Sequence, residues 1–155
     1  MSVTLAAVLA AGLIQTSPQP AGPEAALSAY RAAIESLDGA AAAQAFWPDG
    51  RVFEQGSDEG VFATYLSHHL GPELAAFESF DFQDETVTSE VEGDIAWAVE
   101  RYRYVIRFRD ASRAPVERQG VSTSVLQRRD GAWRILMHHG SSRAPRTPPA
   151  AGAGR

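Results

Sequence analysis

The sequence contains no cysteine, which excludes disulfides and thiolate-based catalytic or metal sites. It also lacks an excess of positive charge: the formal net charge is −5 at pH 7, which argues against a nucleic-acid backbone as partner. A glycine-rich phosphate loop and the G-x-S-x-G motif of many hydrolases are missing as well. What is present is an ordinary globular composition: 155 residues, of which 45% are apolar and 21% charged, enough for one domain with its own core.

No apolar run in the sequence is long enough to span a bilayer. Val3–Ile14 is uncharged and has the length of the apolar segment of a signal peptide, and the Pro/Gly/Ser-containing Gln15–Pro23 follows it. No basic residue precedes the run and no clean A-x-A cleavage site follows, so a buried N-terminal helix is the alternative. We interpret residues 1–22 as signal peptide and linker. This predicts a secreted or periplasmic protein with no membrane span after processing.

Three helices are predicted in the N-terminal half. The first begins at Pro23 and carries one apolar stripe at helical spacing: Leu27, Tyr30, Ile34 and Leu37. Asp38 is predicted to cap a second helix, Ala40–Trp47. A short strand, Arg51–Gln55, comes next, and a third helix, with its cap at residues 57–59, is expected to end at Gly71-Pro72.

From Ser79 onward the pattern changes to strands. We predict strands near Phe80–Val91, at Ile95–Phe108 and at Val116–Arg129, and then a hairpin through Asp130-Gly131. A tight turn at Gly93-Asp94 between the first two strands would pair Val91 with Ala96, Val87 with Glu100 and Glu85 with Tyr102. Residues 144–155 are rich in Pro, Ala, Gly and Arg and are interpreted as a disordered tail. The result is an α+β plan for residues 23–143, with the helices on one face of a curved four-stranded antiparallel sheet.

The turn at Asp130-Gly131 sets the predicted register of the last hairpin. Counting outward pairs Arg128 with Trp133, and the next inward-facing pairs are then Leu126/Ile135, Ser124/Met137 and Ser122/His139. This face is apolar and ends in a polar cluster around His139, as expected where a core opens into a pocket. His138 is predicted to point to the opposite face. That outer face carries Val121, Val125 and Leu136, which favours a homodimer.

Three segments carry a resemblance to a known family: LDGAAAAQAFWPDGRVFEQG at residues 37–56, GDIAWAVERY at 93–102 and GVSTSVLQRRDGAWRILMHHGSSR at 120–143. Over Glu24–Arg143 the chain resembles the NTF2-like superfamily, in particular its SnoaL-like branch. The resemblance implies a cone, in which N-terminal helices pack in a strongly curved antiparallel sheet around a cavity, and often a homodimer across the outer sheet face. It implies little about activity, because the superfamily contains isomerases, cyclases, hydrolases, dehydratases and non-catalytic binding modules.

The candidate site residues are those that strand alternation and helical spacing place on the pocket side. His139 and Glu54 are the candidate acid–base pair, since imidazole and a carboxylate in apolar surroundings both titrate near neutral pH. The candidate ligand-binding residues are Tyr65, His69, Glu100, Tyr102, Ser122, Met137 and His139. A divalent metal such as zinc, held by His69, His139 and Glu54, is a further hypothesis.

These residues leave several functions open. The leading hypothesis is a module that binds a small, largely apolar molecule in the cone pocket without turnover. The alternatives are an isomerase, cyclase or hydrolase acting through the His/Glu pair on a small carbonyl compound, and a His/Glu metal-binding protein. The same histidines and carboxylates could also be structural, each satisfied by neighbouring serine, tyrosine or arginine side chains. No cofactor is predicted with certainty.

Overall fold

Four short helices pack against one face of a six-stranded sheet in the computed structural model, which describes residues 22–146. The helices are α1 (Pro23–Glu35), α2 (Gly39–Gln44), α3 (Phe62–Tyr65) and α4 (Gly71–Ala76), with a π-helical turn, Leu66–Leu70, between the last two. The strands are β1 (Phe46–Glu54), β2 (Ser57–Val61), β3 (Phe77–Glu92), β4 (Ile95–Phe108), β5 (Val116–Arg129) and β6 (Ala132–Arg143). The predicted signal segment, and residues 147–155 of the predicted tail, lie outside the described residues. None of the described helices has the length and apolar character needed to cross a membrane.

The first two helices follow from local sequence signals. Pro23 lies in the first turn of α1, where its missing N–H costs no hydrogen bond, and the apolar stripe buries Leu27 and Ile34. The Asp38 carboxylate accepts a hydrogen bond of 2.9 Å from the backbone N–H of Ala41 and thereby caps α2, as predicted. This helix is shorter than predicted, because Phe46 and the following residues pair with β6 instead.

The predicted third helix is wrong at both ends. Residues 57–61 form β2, which pairs with β1 through a turn at Gln55-Gly56, where both residues have positive φ. The helical segment therefore begins only at Phe62. It also continues through Gly71-Pro72, since Pro72 lies in the first turn of α4, a position that proline tolerates. The polar and charged residues at 57–59 suit an exposed edge strand as well as a helix cap.

The sheet has the order β2-β1-β6-β5-β4-β3, and every neighbouring pair is antiparallel except β1 and β6, which are parallel. The predicted meander is confirmed as β3–β6, and the predicted α+β cone is confirmed as the fold class. The sheet nevertheless has six strands instead of four and is mixed, because β2 and the predicted short strand at residues 51–55, here the end of β1, also belong to it. The parallel pair joins strands that are far apart in the chain, so no turn motif in the sequence predicts that β1 pairs with β6.

Between β3 and β4 the predicted register is confirmed near the turn and wrong farther away. Val91 pairs with Ala96, and Val87 pairs with Glu100. An irregularity between Gln83 and Thr86, with Asp84 at a φ of 52°, then removes the predicted pairing of Glu85 with Tyr102.

A β-bulge at Leu136 overturns the predicted facing of the histidines on β6. The turn residues Asp130 and Gly131 have φ of 51° and 80°, and Arg128/Trp133 and Leu126/Ile135 pair as predicted. Beyond them the register shifts by one residue, so that Ser124 pairs with His138 rather than with Met137. His138 is therefore buried on the inner face. His139 and Met137 are exposed on the outer face, contrary to prediction.

The core fills the space between the helices and the closed end of the sheet. Its fully buried side chains include Leu27 of α1, Val52 of β1, Leu126 of β5 and Ile135 of β6. The ring of Phe46 stacks on that of Phe62, with 4.1 Å between their centroids. Burying each large apolar side chain stabilises the fold by about 1.5–3 kcal/mol.

Candidate functional site

A cavity of about 180 Å³ lies in the cone between α1, the α3–α4 segment and the inner sheet face. Its apolar walls are formed by Ile34, Leu70, Leu74, Phe77, Phe80 and Ile106. All four tyrosines of the chain also line it, namely Tyr30, Tyr65, Tyr102 and Tyr104. A concave site with apolar walls and a few polar groups is the usual form of a small-molecule pocket.

The aromatic rings on β3 and β4 form one wall of this pocket. Phe80 stacks on Tyr104 with 4.9 Å between ring centroids, and Phe82 meets Tyr102 edge to face at 5.1 Å. Gly120 on β5 makes room for the Tyr102 ring, since a Cβ atom at this position would overlap that ring. The wall therefore presents ring faces and phenol groups together.

Glu100 is fully occupied by protein partners. Its side chain lies on the inner face of β4 and the residue is only 3% exposed. The Arg31 guanidinium of α1 forms an ion pair with Oε1, and the Ser122 hydroxyl donates to Oε2 at 3.0 Å. Arg31 also contacts Glu85 at 2.7 Å. Burial raises the pKa of Glu100, while Arg31 and Ser122 oppose that rise by stabilising the charged form.

Glu54 is the open carboxylate of the pocket. It ends β1 on the pocket side, and its Oε2 accepts a hydrogen bond of 2.7 Å from the Tyr65 hydroxyl. Within residues 22–146 no cationic side chain forms an ion pair with it. Burial raises the pKa of Tyr65, and the negative charge of Glu54 adds to that rise, so the phenol keeps its proton and acts as the donor.

His138 is a neutral base facing the cavity. It is 9% exposed, and its Nδ1 lies 2.9 Å from the Ser124 hydroxyl. Burial lowers the pKa of His138 to about 4, with a smaller contribution from His139, so the ring is uncharged at neutral pH. No fully buried polar side-chain atom of the described residues lacks a partner, yet Nε2 makes no hydrogen bond. Because His138 lines the cavity, its Nε2 is the atom reached from there.

Five of the predicted site residues lie on the pocket wall: Glu54, Tyr65, Glu100, Tyr102 and Ser122. Two do not, because the bulge at Leu136 turns His139 and Met137 outward. A third, His69, belongs to the π-helical turn and contacts Glu59 at 3.4 Å and Glu73 at 3.6 Å instead of entering the cavity. The acid–base partner predicted at position 139 is therefore wrongly placed, and His138 occupies the position predicted for it.

The predicted metal ligands do not come together. His139 lies on the outer sheet face, His69 on the helical segment and Glu54 in the pocket. Among residues 22–146 no group of three or more His, Cys, Asp or Glu side chains is arranged to hold a metal ion. The structure therefore does not bring together the three residues on which the zinc hypothesis was built.

Several pocket residues were missed in the sequence. Tyr30 lies in the apolar stripe of the first helix, and Tyr104 lies two residues after Tyr102 on the same strand face. Helical spacing and strand alternation could therefore have predicted that both residues face the pocket. No sequence pattern indicates that Arg31 faces the pocket, because only the packing of α1 against β4 brings it to Glu100. His138 was missed because a bulge cannot be read from alternation.

The sequence pattern of the SnoaL-like domain matches residues 24–145. Among solved structures, an NTF2-like superfamily protein from Salmonella enterica serovar Typhimurium is 18% identical, with a TM-score of 0.65 over 84% of this chain and 92% of that one. A candidate ketosteroid isomerase from Shewanella frigidimarina is 20% identical, with a TM-score of 0.63 over 75% and 91%. A candidate scytalone dehydratase from Novosphingobium aromaticivorans is 14% identical, with a TM-score of 0.66 over 85% and 91%.

These identities are low, so the solved structures show a shared fold and not a shared activity. No curated protein sequence matches the chain. The family match covers nearly the whole described structure, and the curved sheet around a cavity agrees with it. The chain therefore belongs to the SnoaL-like domain family and has the NTF2-like fold.

Proposed function

We propose that the protein binds a small, largely apolar molecule in the cone pocket. The observation that carries this proposal is the combination of apolar walls with two polar atoms left open to the cavity, the Glu54 carboxylate and Nε2 of His138. An apolar body would pack against Phe80 and Ile106, and a polar group would be oriented by the open atoms. No chemical step is required for this role.

A pair of tryptophan substitutions tests binding in the pocket. The probe is 2-naphthylmethanol, a neutral aromatic alcohol, titrated into the full chain by calorimetry. Ile106→Trp fills the cavity from its wall. Val105→Trp is the matched control, because Val105 is the adjacent residue and its side chain faces the opposite side of β4. We expect the first variant to weaken binding at least tenfold and the control to stay within about twofold. Equal effects of the two substitutions, or no binding by the unmodified chain, would contradict the proposal.

Acid–base catalysis is the second candidate function, favoured by the placement of Glu54 and His138 on adjacent parallel strands. Glu54 pairs with Gly140, two residues beyond His138, which puts the two Cα atoms roughly 8 Å apart, given a 3.3 Å rise per residue and a 4.8 Å strand spacing. Glu54 would take a proton from the carbon next to a carbonyl, and a phenol, or Nε2 of His138 when it carries the ring proton, would donate a hydrogen bond to the resulting enolate oxygen. The isomerase and dehydratase candidates of the same fold support this only by analogy.

Deuterium exchange distinguishes turnover from binding alone. The full chain is incubated with 2-tetralone, a small apolar ketone, in D₂O, and loss of the α-proton signals is followed by NMR. A catalytic site would exchange these protons faster than buffer does, and Glu54→Gln would return the rate to the buffer value. Exchange that is unaffected by the substitution would exclude Glu54 as the base.

We also propose a homodimer across the outer sheet face. Trp97, Val125 and Met137 pair in one row across β4, β5 and β6, and Val121 lies on the same face, four residues before Val125 on β5. Trp97, Val121 and Met137 are each at least 40% exposed. Leaving this row in water is unfavourable, and a second copy could cover it isologously. Sedimentation at micromolar concentration is expected to give a dimer that Trp97→Glu converts to a monomer; a monomer before substitution would contradict the proposal.

Export to the periplasm or outside the cell is proposed on the sequence of Val3–Ile14 alone. Expression of the full chain in a Gram-negative host, followed by fractionation, tests it. Export predicts periplasmic protein whose intact mass has lost about the first 20 residues. Full-length protein in the cytoplasmic fraction would contradict the proposal.

A further inference from the structure

The charge balance of the pocket is negative. Three carboxylates line it, those of Glu54, Glu73 and Glu100, against one guanidinium, that of Arg31. This cation is already shared between Glu100 and Glu85. His138 adds no positive charge, because burial keeps its ring neutral. Arg113 and Arg118 border a neighbouring cavity and not this one.

The negative charge of the pocket affects the pKa of all four tyrosine side chains in it. Burial is the main reason why the pKa of each pocket tyrosine is raised, and the charge of Glu54 adds to the rise at all four: Tyr30, Tyr65, Tyr102 and Tyr104. All four phenol groups of the cavity therefore lie within reach of the negative charge of Glu54.

The aromatic walls add a second attraction for positive charge. Ring faces carry negative partial charge, and cages of tyrosine and phenylalanine bind ammonium groups for this reason. Here Phe80, Phe82, Tyr102 and Tyr104 form a continuous ring cluster beside the carboxylates. His138, a residue that is only 9% exposed, offers an independent polar atom, because its Nε2 has no protein partner and is reached from the cavity. When its proton is on Nδ1 and donated to Ser124, Nε2 presents a lone pair to a donor in the cavity.

We propose that the ligand is an organic cation, a protonated amine attached to an apolar body. This inference rests on the proposed binding function and specifies its ligand class. The ammonium group donates to Glu54 and is surrounded by phenol and phenyl rings, while the body extends along Ile106 and Phe80. A carboxylate or phosphate ligand would face more carboxylates than cations, and the one guanidinium is committed to Glu100 and Glu85, so anions are rejected.

Three probes of nearly equal size test the charge preference. They are 2-naphthylmethylammonium, 2-naphthylmethanol and 2-naphthoate, each titrated by calorimetry into the full chain at pH 7 and constant ionic strength. We expect the ammonium to bind at least tenfold more tightly than the alcohol, and the naphthoate at least tenfold more weakly. If the alcohol binds as tightly as the ammonium, or the naphthoate binds best, the inference is wrong while pocket binding stands. If no probe binds, the proposed function fails with it.

A charge-removing pair of variants assigns the preference to Glu54. Glu54→Gln keeps the shape of the side chain, and the ratio of ammonium to alcohol affinity is expected to fall toward one. Glu90→Gln makes the same change of net charge at an exposed outer position opposite Trp97, and the ratio should stay unchanged. An unchanged ratio in the Glu54 variant, or an equal fall in both, overturns the assignment. Should the Glu54 variant fail to fold, the ranking of the probes on the unmodified chain remains decisive.

Discussion

Glu54 and Glu100 are two carboxylates in one pocket with opposite surroundings. Glu100 is buried and receives an ion pair from Arg31 and a hydrogen bond from Ser122. Glu54 is only partly buried and receives one hydrogen bond, from Tyr65. A ligand can engage Glu100 only by displacing existing partners, whereas Glu54 has an oxygen to offer. The comparison separates a carboxylate that holds the fold together from one that is free to act on a ligand.

The largest expected effect comes from breaking the ion pair of Glu100. Arg31→Met leaves this carboxylate buried without its cation, which should lower the free energy of unfolding by about 3–5 kcal/mol in urea denaturation. The double variant Arg31→Met/Glu100→Leu should recover most of the loss, because the uncompensated charge is removed. A single variant as stable as the unmodified chain would show that Glu100 is not a structural carboxylate.

The next effect is a pH dependence arising from His138. Its pKa is about 4 in the folded protein and about 6.5 in the unfolded chain, so the unfolded chain binds the proton first as the pH falls. Neutral His138 therefore makes its full contribution to the free energy of unfolding above pH 6.5. This contribution is lost as the pH falls toward 4, by up to roughly 3 kcal/mol.

Glu100 acts in the opposite direction, because a raised carboxyl pKa lowers stability as the pH rises above 4.5. The comparison must therefore be between the unmodified chain and His138→Phe, with urea denaturation at pH 7, 5.5 and 4.5. The variant should lose the contribution of His138 and show a weaker decline with falling pH. Parallel curves for the two proteins would exclude His138 as the source.

A smaller effect separates the two faces of β6. His138→Phe removes the Ser124 hydrogen bond from a buried site and should cost about 1–3 kcal/mol at pH 7 while weakening probe binding. His139→Phe changes an exposed ring and should alter stability by less than about 0.5 kcal/mol, with binding unaffected. Thermal melting and calorimetry check both. If His139→Phe alone impaired binding, the register predicted from the turn would be right and the bulge at Leu136 wrong.

The smallest effect on stability is expected at Glu54. Glu54→Gln leaves the Tyr65 hydroxyl an amide oxygen to donate to, so the free energy of unfolding should change by less than about 1 kcal/mol. The two carboxylates should then respond differently: loss of the ion pair of Glu100 lowers the stability of the fold, whereas substitution of Glu54 lowers the affinity for a ligand. A loss of several kcal/mol in urea denaturation would make Glu54 a structural residue too.

Much of the pocket could be predicted because alternation on long strands is reliable over short distances. Glu100, Tyr102 and Ser122 lie where the predicted β4 and β5 place them. The prediction of the third helix failed because the same local sequence is compatible with two structures. Residues 57–59 suit a helix cap and an exposed edge strand equally, and only pairing with β1 favours the strand.

The sequence by itself determined the elements whose causes are local: the stripe and cap that form α1 and α2, and the Asp130-Gly131 turn that starts β6 in register. Only the tertiary structure decided which histidine enters the pocket. The parallel alignment of β1 with β6 joins segments about 90 residues apart. The bulge at Leu136 shifts the register within the last hairpin, beyond the pairs that the turn sets. Side chains alternate with a period of two, so one extra residue exchanges His138 for His139, and no pattern within the strand itself reveals that exchange.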